Sequence, residues 1–543
     1  MSAPPSPAPD GIRLTRLDLA RAATDPAVAT RRDRLVRRGA VPDPDVREGA
    51  RRILAEIRSG GDPAVRAANT RFGGGLADGR LVLDAAELTA ARDALPRPVR
   101  AGLETMIEHI ERFAETQRPS TTRTTIVPGI EIERRWTPLA RVGAYVPGGT
   151  AAYPSSLVMT AVPARVAGVG AFIVASPAGP NGRVDPVLAG AAGLLDVECF
   201  IVAGGAQAIG ALAYGLRGPG IAPVDRIVGP GNAWVTAAKL EVFGEVGIDL
   251  PAGPSEVMVL ADASADPEHV AADLLSQAEH GPDSPAILVT TDADFAELVE
   301  AAIDRQLVTA ARREILLRSL AAAGLIVLAP DRAAAIAFVD AYAPEHLTVV
   351  VEDVEEAVAR IANAGSLFVG PFAPESAGDY ASGANHVLPT GGLARSSGAL
   401  GVEAYGKFVQ VQRIDRSGLA AIRTAVGDVA LAEGLVAHRE AVEIRFREPA
   451  ASTAPTAIAA GRAEDGRRCA RRRSPWPSRP RPSATSGKPR ASRSPSGTAC
   501  RSRRSSGSTS TRRPNRRRSP WRRWPPGGSR PASPSTRHPT TAG

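Results

Sequence analysis

From Arg141 onward, short β-branched runs alternate with glycine turns and Ala-rich stretches: RVGAYVPGG, SSLVMTAVPARVAG, AFIVASPAG, VDPVLAGAAGLL, CFIVAGGAQAIGALAYG and DRIVGPGNAWVTAAKLEVFG. Strand-length runs followed by a glycine and a helical stretch are what a parallel doubly wound sheet needs. The theme returns at VMVLA, AILVTTD, AGLIVLA and SLFVG, with helical spacing over Asp294 to Ala322 and Asp353 to Ala364. Upstream, VREGARRILAEIRSGG reads as a helix capped by Gly60 and Gly61, and Ala85 to Glu115 as another, while Arg13 to Arg38 forms an arm of short helices. Beyond Gly401, helical patterns over Gly418 to Arg439 precede AVEIRF.

These patterns predict an α/β chain of two Rossmann-like doubly wound domains with small terminal extensions. We expect an N-terminal arm at 1–40 and a first domain assembled from 41–140 and 256–400. A second domain at 141–255, the nucleotide side, and a helical extension at 401–447 follow. The G-x-G-x-x-G fingerprint is missing, so a dinucleotide must be held differently from the usual Rossmann loop. Residues 448–543 are rich in Arg, Ser and Pro, a composition that buries no core and predicts disorder.

Charge changes the picture in one respect. The whole chain carries +9, which would suggest a nucleic-acid binder. From Ala451 onward, however, 23 basic residues face two acids, whereas the first 450 residues hold 43 basic and 55 acidic residues. The body is therefore acidic, and nucleic-acid binding is expected of the tail alone, if at all. Nearly all the tail's basic residues are Arg, without regular repeats, which fits out-of-frame translation of a GC-rich gene better than a spacer or an RNA-binding arm. Of three cysteines only Cys199 lies in the body, so no disulfide framework is expected, in keeping with a reducing cytoplasm. The start, MSAPPSPAPDG, has no charged n-region or apolar h-region, and no run reaches eighteen apolar residues; neither a secretory signal nor a membrane span is expected.

Candidate chemistry gathers between Asp249 and Ser284. PAGPSE is a turn, VMVLA a strand, and Pro267 to His280 a helix on which Gln277 and His280 share one face before Gly281 and Pro282 stop it. Downstream, Glu345 and His346 in AYAPEHL occupy a turn before a β-branched run, where catalytic groups are often found. GPGNAWVTAAK, DLPAGPSEV, DLLSQAEHGPDS, AYAPEHL and ESAGDYASGANHVLPT, in this order, resemble histidinol dehydrogenase over roughly Leu14 to Phe446.

That resemblance implies an aldehyde-dehydrogenase-like pair of domains and oxidation of L-histidinol through L-histidinal to L-histidine with two NAD. It implies one zinc ion per subunit on Gln277, His280, Asp379 and His438, a borderline donor set suited to that metal. His346 is then the base of hydride transfer and Glu345 activates water with it. Substrate contacts fall on Ser255, Gln277, His280, His346, Asp379, Glu433 and His438, and NAD contacts on Tyr145, Gln207 and Asn232. His386 is expected to support the metal motif from behind. Glu433 and His438 are five apart, off an ideal helical stripe, so the segment is expected to bend. In the family this piece crosses to the partner of a homodimer. Cys199, within a strand, is expected to pack rather than to attack an aldehyde. A related zinc and NAD enzyme for another polar alcohol, such as a sulfonated diol, is the alternative; Glu433 argues against an anionic substrate.

Overall fold

The computed structural model describes residues 12–148, 153–251 and 253–447, so the Arg-rich tail at 448–543 lies outside the described residues. Among the described residues, two six-stranded sheets and one three-stranded sheet make up the β structure. In the nucleotide-side sheet the strands run Val82–Leu83, Cys199–Val202, Ala171–Ser176, Arg141–Tyr145, Arg226–Val228 and Gly247–Ile248; all neighbours are parallel except the first pair. In the other sheet, Thr15–Asp18, Gly324–Leu328, Ala286–Thr290, Val257–Ala261, His346–Val350 and Ser366–Val369 are all parallel.

The central strands of both sheets are buried along their length, as the continuous apolar runs required. Val142, Ala144 and Val174 pack on helix Pro154–Ala167, while Ile173, Ile201 and Ile227 face the opposite helices. The other sheet divides in the same way: Val257, Val259 and Leu288 face helices Pro267–Ala278 and Ala293–Leu307, and Met258, Leu260 and Ile287 face Arg332–Tyr342. Each such aliphatic side chain contributes roughly 1.5–3 kcal/mol through burial, so the sheets are stiff platforms for the groups at their ends.

Packing corrects the expected domain limits. Helix Pro44–Phe72 lies on the helices of the nucleotide-side sheet, strand Val82–Leu83 pairs with Cys199–Val202, and helix Arg97–Thr116 packs on Pro154–Ala167. Residues 44–116 therefore belong with 141–248 rather than with 256–400. The N-terminal arm contributes a strand as well as helix Pro26–Val36, because Thr15–Asp18 pairs with Gly324–Leu328. The extension at 401–447 is not all helical: Gly406–Ile414 pairs antiparallel with Ile130–Pro138, which in turn pairs with Thr122–Val127.

Other boundaries differ for local reasons. At Gly61, φ is +58°, so the first helix is capped as expected, but Asp62 and Pro63 restart a turn and the element continues to Phe72. The stretches 85–115 and 294–322 each split in two, the former at Pro96.

Candidate active site

The two large sheets present their chemistry at opposite ends. On the nucleotide side, the strands ending at Tyr145, Ser176, Val202 and Val228 lead into loops that line a cavity of about 730 Å³. This is the carboxyl edge, where the strand order reverses between Arg141–Tyr145 and Arg226–Val228, the usual place for a nucleotide in a doubly wound sheet. Tyr145, Gln207 and Asn232 all line it. The backbone N–H of Gly205, at the start of helix Gly205–Tyr214, donates to the Tyr145 hydroxyl at 3.4 Å, and Gln207 Nε2 donates to the Gly73 carbonyl at 3.4 Å. Asn232 caps helix Ala233–Val242, accepting from the N–H groups of Trp234 and Val235. Gly229 has φ +102°, and a Cβ there would stand 2.2 Å from the Tyr145 carbonyl oxygen, so only glycine lets the loop pass this close.

The segment from Asp249 to Glu256 then crosses to the other sheet. Its start is clasped by Lys239, a fully buried ammonium bonded to Asp249 and to the carbonyls of Gly229 and Leu250, and Asp249 in turn accepts from Gly229 N–H at 2.6 Å. Its end enters strand Val257–Ala261 at the amino edge. Glu345 and His346 enter the neighbouring strand at the same edge, in register with it. Glu345 Oε2 accepts from Ser255 Oγ and from Glu256 N–H, both at 2.8 Å. His346 Nδ1 lies 3.2 Å from the Glu256 carbonyl, which favours the tautomer with its proton on Nδ1 and leaves Nε2 to accept one.

Helix Pro267–Ala278 returns to this edge, so Gln277 is buried there and Ser255 Oγ lies 3.4 Å from its Oε1. The helix stops at Ala278 rather than at His280, so His280 lies exposed beyond its end and not on a helix face shared with Gln277. Helix Glu375–Tyr380 brings Asp379 to 3.8 Å from His346 Nε2 and Glu375 to 3.9 Å from Nδ1. Gly378 permits this, since a Cβ there would meet the Phe368 ring at 2.5 Å. Ligand atoms of His280, Glu375 and Asp379 lie within 4.8 Å of one another. His386 backs the group, its Nδ1 3.0 Å from the Asp379 carbonyl and its Nε2 3.3 Å from Ser156 Oγ.

Electrostatics and unsatisfied atoms test whether a cation fits. Both Glu375 carboxylate oxygens, Gln277 Nε2 and His346 Nε2 are buried without a hydrogen-bond partner. Leaving such atoms orphaned is costly, and two carboxylates converging with an imidazole are a donor set for a divalent ion. Burial works against protonation of His346, but Glu345, Glu375 and Asp379 outweigh it and lift the imidazole to about 10. Burial also lifts the Glu375 carboxyl to about 8, against the pull of His346. A histidine at about 10 is already protonated near neutrality and accepts nothing. A divalent cation among the carboxylates would cancel much of that negative field, so the residues fit a metal better than its absence.

Glu433 and His438 are not brought to this cluster. The bend expected between them is present: helix Arg416–Ala432 ends, Gly434 takes φ +75°, and helix Val436–Glu443 begins. Both side chains are exposed and line a separate open depression with Val429 and Leu435. Glu375, conversely, was not singled out from the sequence. Its signal was there, for Glu375 and Asp379 are four apart in ESAGDY and so share a helix face. Cys199 starts a strand, and burial pushes its thiol up to about 11, as suits packing rather than attack.

The family model for histidinol dehydrogenase matches residues 36–446. The chain belongs to the histidinol dehydrogenase family. Relatives of that name are 46% identical over 394 residues in Parasynechococcus marenigrum, covering 73% of this chain and 90% of the relative, and 46% identical over 424 residues in Leifsonia xyli subsp. xyli, covering 77% and 96%. The crystal structure of histidinol dehydrogenase from Elizabethkingia anophelis superposes with a TM-score of 0.73 at 33% identity, over 80% of this chain and 98% of that one. As a histidinol dehydrogenase family member the chain is an NAD-dependent oxidoreductase of histidine biosynthesis with a mixed α/β fold built on parallel sheets. No helix among the described residues is long and apolar enough to cross a membrane.

Proposed function

We propose that this chain carries out the zinc-dependent oxidation of L-histidinol through L-histidinal to L-histidine, with NAD as acceptor in both steps. The convergence of His280, Glu375 and Asp379 beside the buried Glu345–His346 pair is the observation that carries this reading. Gln277, His280 and Asp379 would hold zinc, with His438 completing the set from a second protomer. When bound, zinc would supply a Lewis-acid anchor that fixes the imidazole and amine of the substrate and offsets the surrounding carboxylates.

His346 Nε2 takes the hydroxyl proton as hydride leaves the adjacent carbon for the nicotinamide. In the second step water must first add to the aldehyde. Glu345 keeps Oε2 on Ser255 and Glu256, and its other oxygen draws the proton from that water. Over both steps one alcohol and one water become a carboxylate, two NAD are reduced and three protons are released. Tyr145, Gln207 and Asn232 hold the nucleotide at the carboxyl edge. The family match and the relatives named histidinol dehydrogenase favour this reading over the sulfonated-diol alternative.

The exposed depression around Glu433 and His438 is read as the face that a partner's active site covers, forming a homodimer with exchanged C-terminal segments in the cytoplasm. Mixing inactive His346→Asn with inactive His438→Ala protomers tests this. One intact site per hybrid dimer would restore about a quarter of wild-type activity at random exchange. Continued inactivity of re-equilibrated mixtures would show that each protomer builds its site alone.

A further inference from the structure

Behind the Glu345–His346 turn lies a buried ionic clamp that the catalytic reading leaves unused. Arg38, just past helix Pro26–Val36, meets Glu256 through two contacts, Nε to Oε2 at 2.9 Å and Nη2 to Oε1 at 2.5 Å, with the Glu256 side chain 4% exposed. The same guanidinium lies 3.2 Å over the Tyr342 ring, and the Tyr342 hydroxyl donates to Glu256 Oε2 at 3.1 Å. Its remaining donors reach the carbonyls of Tyr342 at 2.6 Å, Ala343 at 3.3 Å and Leu35 at 3.4 Å.

Two consequences meet at the reacting groups. Ala343 is a non-glycine residue at φ +54°, a left-handed conformation an L side chain rarely adopts, and it lies two positions before Glu345. Arginine bonds to the carbonyls of residues 342 and 343 hold the chain through that point. Glu256, the residue the arginine grips, offers its own main chain to both working side chains: its N–H to Glu345 Oε2 and its carbonyl to His346 Nδ1. One guanidinium thus braces both strand entries from behind, and a planar fork stacked on a ring is a geometry lysine does not reproduce.

We infer that Arg38 is a positioning residue for the reaction, setting the tautomer of His346 and the orientation of Glu345 through Glu256 and the Ala343 turn. This rests on the roles given above to Glu345 and His346, and the experiment separates the two. Arg38→Ala, Arg38→Lys, Tyr342→Phe and His346→Asn are compared by kcat on histidinol and on histidinal, KM for NAD, zinc content and pH profile. Arg38→Ala is expected to lose about 10- to 100-fold in kcat, the range for groups that orient active residues, with KM for NAD within about twofold and zinc content unchanged. Its kcat–pH profile should shift, because the partner that fixes Nδ1 is no longer held. Arg38→Lys should be intermediate and Tyr342→Phe lower by about two- to fivefold. Millimolar guanidinium should restore part of the kcat of Arg38→Ala and none of that of His346→Asn.

Wild-type kcat and pH profile in Arg38→Ala, with His346→Asn inactive, would overturn the inference while leaving the roles of the pair intact. Full activity of His346→Asn would overturn those roles. Should Arg38→Ala fail to fold, Arg38→Lys and Tyr342→Phe decide: unchanged kcat and pH profile in both refute the clamp.

Discussion

The two parallel sheets share an architecture but work from opposite edges. On the proposed reading, the nucleotide-side sheet would use its carboxyl edge, where the cavity is lined by glycine-rich loops, the Tyr145 hydroxyl and the Gln207 and Asn232 amides. The other sheet gathers its polar and charged groups where strands begin, on Ser255, Glu256, Glu345 and His346, and draws further side chains from helices that return to that edge. Binding a common cofactor is largely a backbone problem, solved at a topological switch. Acid–base chemistry beside a cation is a side-chain problem, and it requires anchored rotamers.

That contrast breaks most visibly at the metal. Asp379→Asn or His280→Ala should remove zinc and lower kcat by at least about 10³-fold, since a Lewis-acid anchor is worth several kcal/mol. Metal analysis beside turnover checks this, and a zinc-free variant with normal turnover would remove the metal from the amino edge. Next, His346→Asn should slow both oxidations by about 10²–10⁴-fold, while Glu345→Gln should slow NADH formation from histidinal far more than from histidinol. Equal effects of Glu345→Gln on both substrates would refute the division of labour.

A third expectation concerns stability without metal. Glu375, lifted to about 8 by burial, and His346, lifted to about 10 by the carboxylates despite burial, both bind protons more tightly when folded. The glutamate therefore costs stability as pH rises from its ordinary range near 4.5 toward 8. The histidine's contribution, full below about 6.5, is lost as pH approaches 10. The melting temperature of metal-free protein should fall between pH 5 and 9, more so than in Glu375→Gln, and zinc should flatten the trend. A melting temperature that rises with pH in metal-free protein would contradict the electrostatics of the cluster. Smallest of all, Asn232→Ala should raise KM for NAD by about fivefold through one lost polar anchor and leave zinc content alone. Loss of zinc there would mean the two edges are not independent.

Much of this was legible in the sequence because of period and punctuation. Uninterrupted runs such as VMVLA and AILVT announced buried parallel strands, whereas the helix expected to run to His280 stops at Ala278. The domain limits were not legible. Helix Pro44–Phe72 reads as amphipathic wherever it packs, and nothing local says which sheet covers its Ile53 and Ile57. Strand Thr15–Asp18 is too short and too charged to stand out, since one of its faces is solvent. Within the site, Glu375 was legible only as the residue four before Asp379, a spacing that places both on one face of the short helix Glu375–Tyr380. The Arg38 clamp spans some 300 positions of sequence, a separation that no local pattern encodes.

The passage from Asp249 to Glu256 carries a kinetic implication. Two successive oxidations demand that spent nucleotide be exchanged once while a reactive aldehyde stays put. On the proposed roles, nucleotide would be held at the carboxyl edge of one sheet and aldehyde at the amino edge of the other, with Lys239 fixing Asp249 and Leu250 on the way between them, so that one could loosen without releasing the other. On that reading, the order of the strands would favour retention of the half-finished product.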